Sequence, residues 1–390
     1  MKDRMISLDV FRGLTVGLMI LVNNPGSWSH IYGPLRHAKW HGWTPTDLVF
    51  PFFLFIVGVA MALSFGKRME AGADVTDLKK KVLSRGAIII GLGLFLNGFP
   101  FNIPLNAQMA ADFEFMDIPR RLLTLRFWGV LQRIGFSYLL GGLIILYLPR
   151  TRSRIIAAAV LVLIYEFFMR VPLVDGWGAG SFALADNFIR YMDMALFGEA
   201  HLYGGTGVPF DPEGFLSTLP AVVTLLSGFW LGEYLRKPVD QQEKLSNLSV
   251  LGIIVFMLGS IMSIWEPINK QLWTVSYVIT MDGLAIMMIV VSSYLIDVKK
   301  MDFWIKPAIV FGSNALVVFV GSGIIGRLMY MLKTTNSSGE IVSIKEAMYT
   351  GLYVPLAGEL NGSLLFALTN IAFWLAILWY LYSKKIFVKI

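Results

Sequence analysis

The 390-residue chain is 56% hydrophobic and 15% charged, with a mean hydropathy of +0.65. A soluble globular domain carries about a quarter charged residues, so this composition excludes one. There is no cysteine, which excludes thiol nucleophiles, thiolate metal sites and disulfides, and the formal charge of +7 does not call for nucleic acid, because cytoplasmic loops of membrane proteins collect Lys and Arg.

Apolar runs of about 20 residues, the length that crosses a bilayer core as a helix, recur from end to end. They predict an all-α polytopic transmembrane helical bundle. Ten spans fit, at roughly 8–25, 46–66, 84–101, 124–148, 154–173, 215–235, 247–265, 273–296, 306–327 and 362–383. The first holds Asp9 and Arg12 and lacks a small-residue cleavage site, so it reads as a span and not as a cleaved signal. With the N-terminus inside, "GKRMEAGADVTDLKKKVLSR", "PRTRSR", "LRKPVDQQEK", "DVKKMDFWIK" and "SKKIFVK" all face the cytoplasm. Their Lys and Arg predict both termini cytoplasmic. The long connections 174–214 and 328–361 then lie outside, where their aromatics suit ordered loops. Residues 1–390 read as one membrane domain.

Ionisable side chains inside spans are costly and default to a functional reading. Asp9 and Arg12, at i and i+3, share a helix face. Either they anchor the first helix at the interface, or Arg12 holds an anionic group arriving from the cytoplasm, guanidinium being the favoured fork for phosphate. Arg133, deep in "GVLQRIGFSY", points either to a polar cavity or to a buried pair with Asp282; Asn314, in "FGSNALVVF", extends the polar lining. A short outer turn, "SIWEPINKQLW", carries Glu266, Asn269 and Lys270. Together these residues describe a polar path suited to an anionic ligand or a sugar.

Residues 35–53, "LRHAKWHGWTPTDLVFPFF", put His37, Trp40, His41, Trp43 and Asp47 at the outer lip of the second span. His37 and His41 are four apart, but Gly33, Pro34 and Gly42 break the helix and no HExxH carboxylate lies between them, so no metal is expected. An imidazole suits general-base chemistry near neutral pH, and Asp47 can orient such a ring as a carboxylate does in a triad. The bland alternatives also stand. Asp47 serves as negative charge at a helix N-terminus, His37 as a surface ring packed on a tryptophan, and Asn23 as the cap of the first helix.

"SLDVFRGLTVGLMILVN", "LRHAKWHGWTPTDLVFPFFLFIVG", "RFWGVLQRIGFSY", "FDPEGFLSTLPAVVTLLSGFWLGEYL", "PINKQLWTVSYVITMDGLA" and "GSNALVVFV" resemble, in order, the signature blocks of the heparan-alpha-glucosaminide N-acetyltransferase family, with its bacterial NagX-like members. The resemblance implies an acetyl-CoA-dependent N-acetyltransferase, with acetyl-CoA as co-substrate and no metal. It implies that acetyl crosses the membrane to the amino group of a glucosamine-type sugar or glycan terminus outside. His37 falls on the family's catalytic histidine, with Asn23 and Asp47 as catalytic partners. His37 then either deprotonates the acceptor amine or carries the acetyl group itself, and Asn23 donates to the developing oxyanion.

Arg12, Arg133, Lys270 and Asn314 are candidates for acetyl-CoA binding, and Trp40, His41 and Asp211 for binding the acceptor. Trp40 and Trp43 either stack on a sugar ring or simply mark the membrane interface. Membrane lipids and a homodimer partner are implied. Lysosomal members carry a further N-terminal luminal domain and span without counterpart here, so the expected location is a bacterial inner membrane, and heparan sulfate stays open as the acceptor. His41 stands where those enzymes have asparagine. The competing function is a permease for an amino sugar or N-acetylglucosamine, which ten spans with central polar residues also serve.

Overall fold

The computed structural model describes residues 5–70, 72, 74–105, 114–171, 174, 177, 180–336 and 338–388, so the connection 174–214, expected outside, lies partly beyond the described residues. The chain is built from helices α1 (Ile6–Asn23), α2 (Val49–Glu70), α3 (Val75–Gly98), α4 (Asp117–Leu123), α5 (Val130–Tyr147), α6 (Thr151–Arg170) and α7 (Phe188–Phe197). They are followed by α8 (Thr218–Leu235), α9 (Gln241–Met262), α10 (Val275–Ser293), α11 (Ile305–Ser313), α12 (Ala315–Met331), α13 (Ile344–Met348) and α14 (Val354–Ser383). One small antiparallel hairpin, β1 (Lys333–Thr335) with β2 (Ile341–Ser343), pairs Thr334 with Val342.

Among the described residues, eight helices are long and apolar enough to cross a membrane, and α11 with α12 makes a ninth if the pair, bent by 77°, is one span. Length and apolarity thus account for eight of the ten expected spans, and for a ninth where the bent pair counts as one. Of the remaining stretch, 154–173, residues 154–170 are helical as part of α6 and 172–173 lie outside the described residues; Arg152, Arg154, Glu166 and Arg170 leave α6 too charged to qualify on composition. Helix starts follow local chemistry. Asp74 accepts from Thr76 N at 2.9 Å ahead of α3, Asn187 from Arg190 N at 3.0 Å ahead of α7, and Asp240 from Gln242 N at 2.8 Å ahead of α9.

In lipid, hydrophobic transfer does little to join helices, and close packing at small residues does more. A Cβ on Gly58 would lie 1.9 Å from Leu225 O, and one on Gly228 2.0 Å from Phe55 O, so α2 and α8 touch backbone to backbone. The same contact joins α1 to α11, where a Cβ on Gly13 would lie 1.7 Å from Ala308 O. α2 is central. One face packs Phe52, Phe55, Ile56 and Val59 against Leu231, Leu248 and Ile286, and another packs Phe50 and Leu54 against Trp273 and Tyr277. This burial fixes the position of the residues that lead into α2, which carry the site.

Candidate active site

The loop before α2 folds around one carboxylate. Asp47 is buried, and its Oδ2 accepts from Ala38 N and Thr44 N, each at 3.0 Å, with Thr44 Oγ1 at 3.2 Å. Pro45 and the turn Pro45–Leu48 hold Asp47 facing back along the loop, where Asp47 N donates to Thr44 O at 2.9 Å. Tyr277 Oη donates to the Asp47 carbonyl at 2.6 Å, which ties the loop to α10. With Oδ2 occupied, Oδ1 is left for His37, whose Nδ1 stands 2.6 Å away. An ionised carboxylate only accepts, so Nδ1 carries the proton and Nε2 presents a lone pair. The ring nitrogen that the carboxylate leaves open is the one suited to take a proton from a substrate.

Lys270 completes the cluster from more than 200 residues further along the chain. Its Nζ lies 3.0 Å from His37 Nδ1 and 3.3 Å from Asp47 Oδ1. Since Nδ1 already donates to Asp47, the ammonium gives its proton to the carboxylate, and His37 lies between a negative and a positive group. The turn bearing Lys270 is held at several points. Gly42, at φ +90° where a side chain would be strained, donates to Ile268 O at 2.7 Å, and Leu272 N donates to Asn269 Oδ1 at 2.9 Å. Glu266 accepts from Val275 N and Ser276 N, both at 3.0 Å, at the start of α10. Burial, reinforced by the neighbouring Glu166 carboxylate, pushes Glu266 up to about 8, and burial pushes the Lys270 ammonium below the ordinary lysine range.

Two cavities meet beside this cluster. One, of about 540 Å³, has His37, Lys270 and Glu213 at one end and Ser64, Arg85 and Val388 at the other. Its wall is a stripe of Thr46, in the turn before α2, and of Phe50, Phe53, Val57, Met61 and Phe65 along α2. The nineteen residue steps from Thr46 to Phe65 rise about 28 Å at helical spacing, close to the hydrocarbon thickness of a bilayer. The second cavity, of about 650 Å³, is lined by Asn24, Trp28, Asn97, Arg121, Arg126, Arg327, Lys345 and Asn370. Met19, Asn23, Val130, Leu131 and Phe319 line both cavities, so Asn23, the last residue of α1, stands at their junction.

The structure joins His37, Asp47 and Lys270 in one cluster, and Asn23 lines the same cavity as His37 and Lys270. The other candidates lie elsewhere. Arg12 pairs with Asp9 at 2.5 Å and donates to Gly312 O at 3.0 Å, lining neither cavity. Arg133 is fully buried, bonded to Ser217 Oγ with its guanidinium 5.0 Å from the Trp273 ring centre, and is not paired with Asp282. Asn314, at the bend between α11 and α12, accepts from Val388 N at 2.8 Å and donates to Ile386 O at 3.0 Å, fastening the C-terminal tail. Trp40 donates to Phe182 O at 2.7 Å, and His41 Nδ1 lies 3.3 Å from Asn269 Nδ2. Asp211 is fully buried, held by Arg126 at 2.7 and 2.8 Å.

Sequence reasoning takes Thr44 only as part of a helix start and misses Tyr277, Glu213 and Arg85. Thr44 stands three residues before Asp47, a spacing that signals a helix start. The other three enter the site by tertiary contact, which no local pattern carries.

Residues 4–265 match the family model described as heparan-alpha-glucosaminide N-acetyltransferase, catalytic. That stretch includes Asn23, His37 and Asp47 and ends before Lys270. Two curated proteins named heparan-alpha-glucosaminide N-acetyltransferase are similar to the chain: one from Mus musculus, 26% identical over 437 aligned positions, and one from Homo sapiens, 27% identical over 441. Each alignment takes in 100% of this chain, but only 61% and 60% of the respective relative, so the chain spans about three fifths of the length of the curated relatives it matches.

Proposed function

Since the chain belongs to the family of the heparan-alpha-glucosaminide N-acetyltransferase catalytic region, we propose that it moves an acetyl group from acetyl-CoA on the cytoplasmic side of a membrane to the amino group of a glucosamine-type sugar on the other. The observation that carries this reading is the through-running apolar cavity with a carboxylate-oriented histidine at one end and a cation, Arg85, at the other. A nucleotide at the Arg85 end extends its pantetheine arm along the α2 stripe and presents the thioester to His37. The acceptor enters from the second cavity, and the two reactants meet at Asn23.

The amine nitrogen attacks the thioester carbonyl while His37 Nε2 takes its proton. Asp47 holds the ring and balances the imidazolium charge. Asn23 donates to the oxyanion of the tetrahedral intermediate. Collapse breaks the carbon–sulfur bond, and the proton on Nε2 passes to the leaving thiolate. The products are the N-acetyl sugar and CoA, and His37 returns to its starting state. The basic segments named above support cytoplasmic termini, which put Arg85 inside and His37 outside.

The test is CoA release by the purified protein given acetyl-CoA with and without glucosamine, alongside His37→Ala. Acceptor-dependent release, reduced about 10²–10⁴-fold in the variant, is expected for a general base. Failure of the protein to bind acetyl-CoA would remove the transferase and leave the sugar permease.

A further inference from the structure

The Arg85 end of the cavity along α2 is walled in part by a segment that belongs to no helix. Ser64 and Phe65 reach it from α2 and Arg85 from α3, whereas Val388 comes from the residues that follow α14. α14 ends in a reversal of the chain. Ile386 N donates to Leu381 O at 2.9 Å, and Lys385 N to Tyr382 O at 3.0 Å. Lys385 takes φ +57°, the left-handed conformation that usually falls to glycine at a helix end. The chain thus turns back on the bundle, and Ile386 and Val388 meet Asn314 at the break between α11 and α12.

Past that cap, Asn314 is the segment's one hydrogen-bond partner among the described residues. Its Oδ1 accepts from Val388 N at 2.8 Å and its Nδ2 donates to Ile386 O at 3.0 Å, so the amide pairs with the segment as a backbone would. Asn314 is buried, and the segment satisfies both ends of its amide. The segment itself is loosely packed: Ile386, Phe387 and Val388 are 45%, 41% and 52% exposed. Two hydrogen bonds of ordinary net strength favour the seated state over a lifted one by about tenfold to hundredfold. A hold of that size covers a mouth without sealing it.

We propose that residues 386–388 form a strap across the Arg85 end of the cavity, latched by Asn314, which must lift before a long ligand such as acetyl-CoA enters. This inference rests on the acetyl-transfer reading above, in which the donor uses that end. A seated strap competes with the donor, so only the lifted state binds it, and the apparent affinity is reduced by the fraction of molecules in that state. Releasing the latch therefore speeds entry and tightens binding, with little change in the rate of departure. A segment that merely helped to build the donor site would act in the opposite sense, since its loss would weaken binding.

The experiment compares the wild type, Asn314→Ala and a chain ending at Ser383, each in nanodiscs. Acetyl-CoA binding is followed by rapid mixing, and access to the mouth by a thiol. The sequence has no cysteine, so Ser64→Cys places a single one on the cavity wall, and its rate of reaction with a small charged methanethiosulfonate reads access without any donor. Both released proteins are expected to label at least about tenfold faster than the wild type. They bind acetyl-CoA at least about tenfold faster and more tightly, with departure within about threefold of the wild-type rate. Should Asn314→Ala lose its monodisperse elution, the shortened chain supplies the same comparison without touching α11 or α12. Equal labelling in the three proteins overturns the inference, and so does weaker acetyl-CoA binding by the released ones. Faster labelling in proteins that bind no acetyl-CoA upholds the strap and defeats the donor path. Acetyl-CoA turnover with entry rates and labelling unchanged does the reverse.

Discussion

The ammonium of Lys270 stands 3.3 Å from Asp47 Oδ1, across 223 residues of sequence, and makes the His37–Asp47 pair a three-membered cluster. Burial lowers the Lys270 pKa, although Asp47 pulls it the other way. The cation therefore discharges at a lower pH than an ordinary lysine. As pH rises through that value, Asp47 loses its second partner and the cluster gains a net negative charge. The kcat/KM profile is expected to fall on the alkaline side below the usual lysine range. Lys270→Arg, which stays charged, moves that fall to higher pH. Lys270→Met is less active throughout and lacks the fall. Profiles of the three proteins between pH 6 and 10 test this; an unchanged alkaline limb in Lys270→Met would assign it to another group.

Glu266 carries a separate pH dependence, in stability. Its carboxyl is fully buried and pushed up to about 8, so the folded protein holds a proton there that the unfolded chain releases near the ordinary carboxylate range. A group with a raised folded pKa contributes stability in full below its unfolded value and loses it as pH rises through the folded one. The melting temperature in detergent is expected to decline between about pH 5 and pH 8, with a flatter decline in Glu266→Gln, which does not titrate and keeps one acceptor oxygen for the two N–H groups of Val275 and Ser276. Glu266→Ala strips both N–H groups of their partner and costs about 1–3 kcal/mol at every pH. Parallel slopes in wild type and Glu266→Gln would show that the titrating group lies elsewhere.

Part of this architecture is legible in the sequence. Apolar runs give the helices because in lipid every backbone group must bond within its own segment. "TPTDLVF" marks the start of α2, and the ten residues from His37 to Asp47 suffice to suggest a pair. Depth in a span also identifies Arg133 as a buried charge. Its partners cannot be read that way: Ser217 and Trp273 come from other elements, whereas Asp282 lies in contact with Ser227. Asn314 reads as cavity lining by its position in an apolar run, yet the helix breaks there and the side chain spends both polar atoms on the tail. Lys270 reads as charge along a path. Tertiary contacts, Gly42 N to Ile268 O and His41 Nδ1 to Asn269 Nδ2, bring its turn onto the histidine loop.

Arg126 links the two cavities, lining one while its partner Glu213 lines the other. Asp211, fully buried, receives two bonds from the same guanidinium, and these carboxylates hold the Arg126 pKa above its already high ordinary value. Removing the cation leaves Asp211 buried and uncompensated, so Arg126→Ala is expected to lower stability by about 3–5 kcal/mol. Arg126→Ala combined with Asp211→Asn recovers a large part of that loss, since the orphaned charge goes with it. Thermal unfolding of the four proteins of the cycle measures the coupling. Additive losses would mean that the pair contributes little beyond its packing.

The cavity along α2 gives the donor and the permease readings different consequences. Val57 lines it midway between the His37 and Arg85 ends. Val57 lines the cavity and also packs against the cluster of Met61, Tyr138 and Leu225, so Val57→Trp is expected to cost the about 1–3 kcal/mol of overpacking. It nevertheless closes the passage. If the pantetheine arm lies in this cavity, acetyl-CoA affinity falls at least about tenfold, while Val57→Ala, which only widens the passage, stays within about threefold of wild type. Direct titration with acetyl-CoA reads this without depending on the acceptor. Asn314→Ala probes the same cavity from its Arg85 end, because it releases the tail whose Val388 lines that end. The expected change is in KM for acetyl-CoA, with the Asn23–His37 end untouched. A stable Val57→Trp protein that binds and consumes acetyl-CoA at the wild-type rate would mean that the donor reaches His37 by another route. Sugar uptake without acetyl-CoA, blocked by Val57→Trp and indifferent to His37→Ala, would make the cavity a transport path.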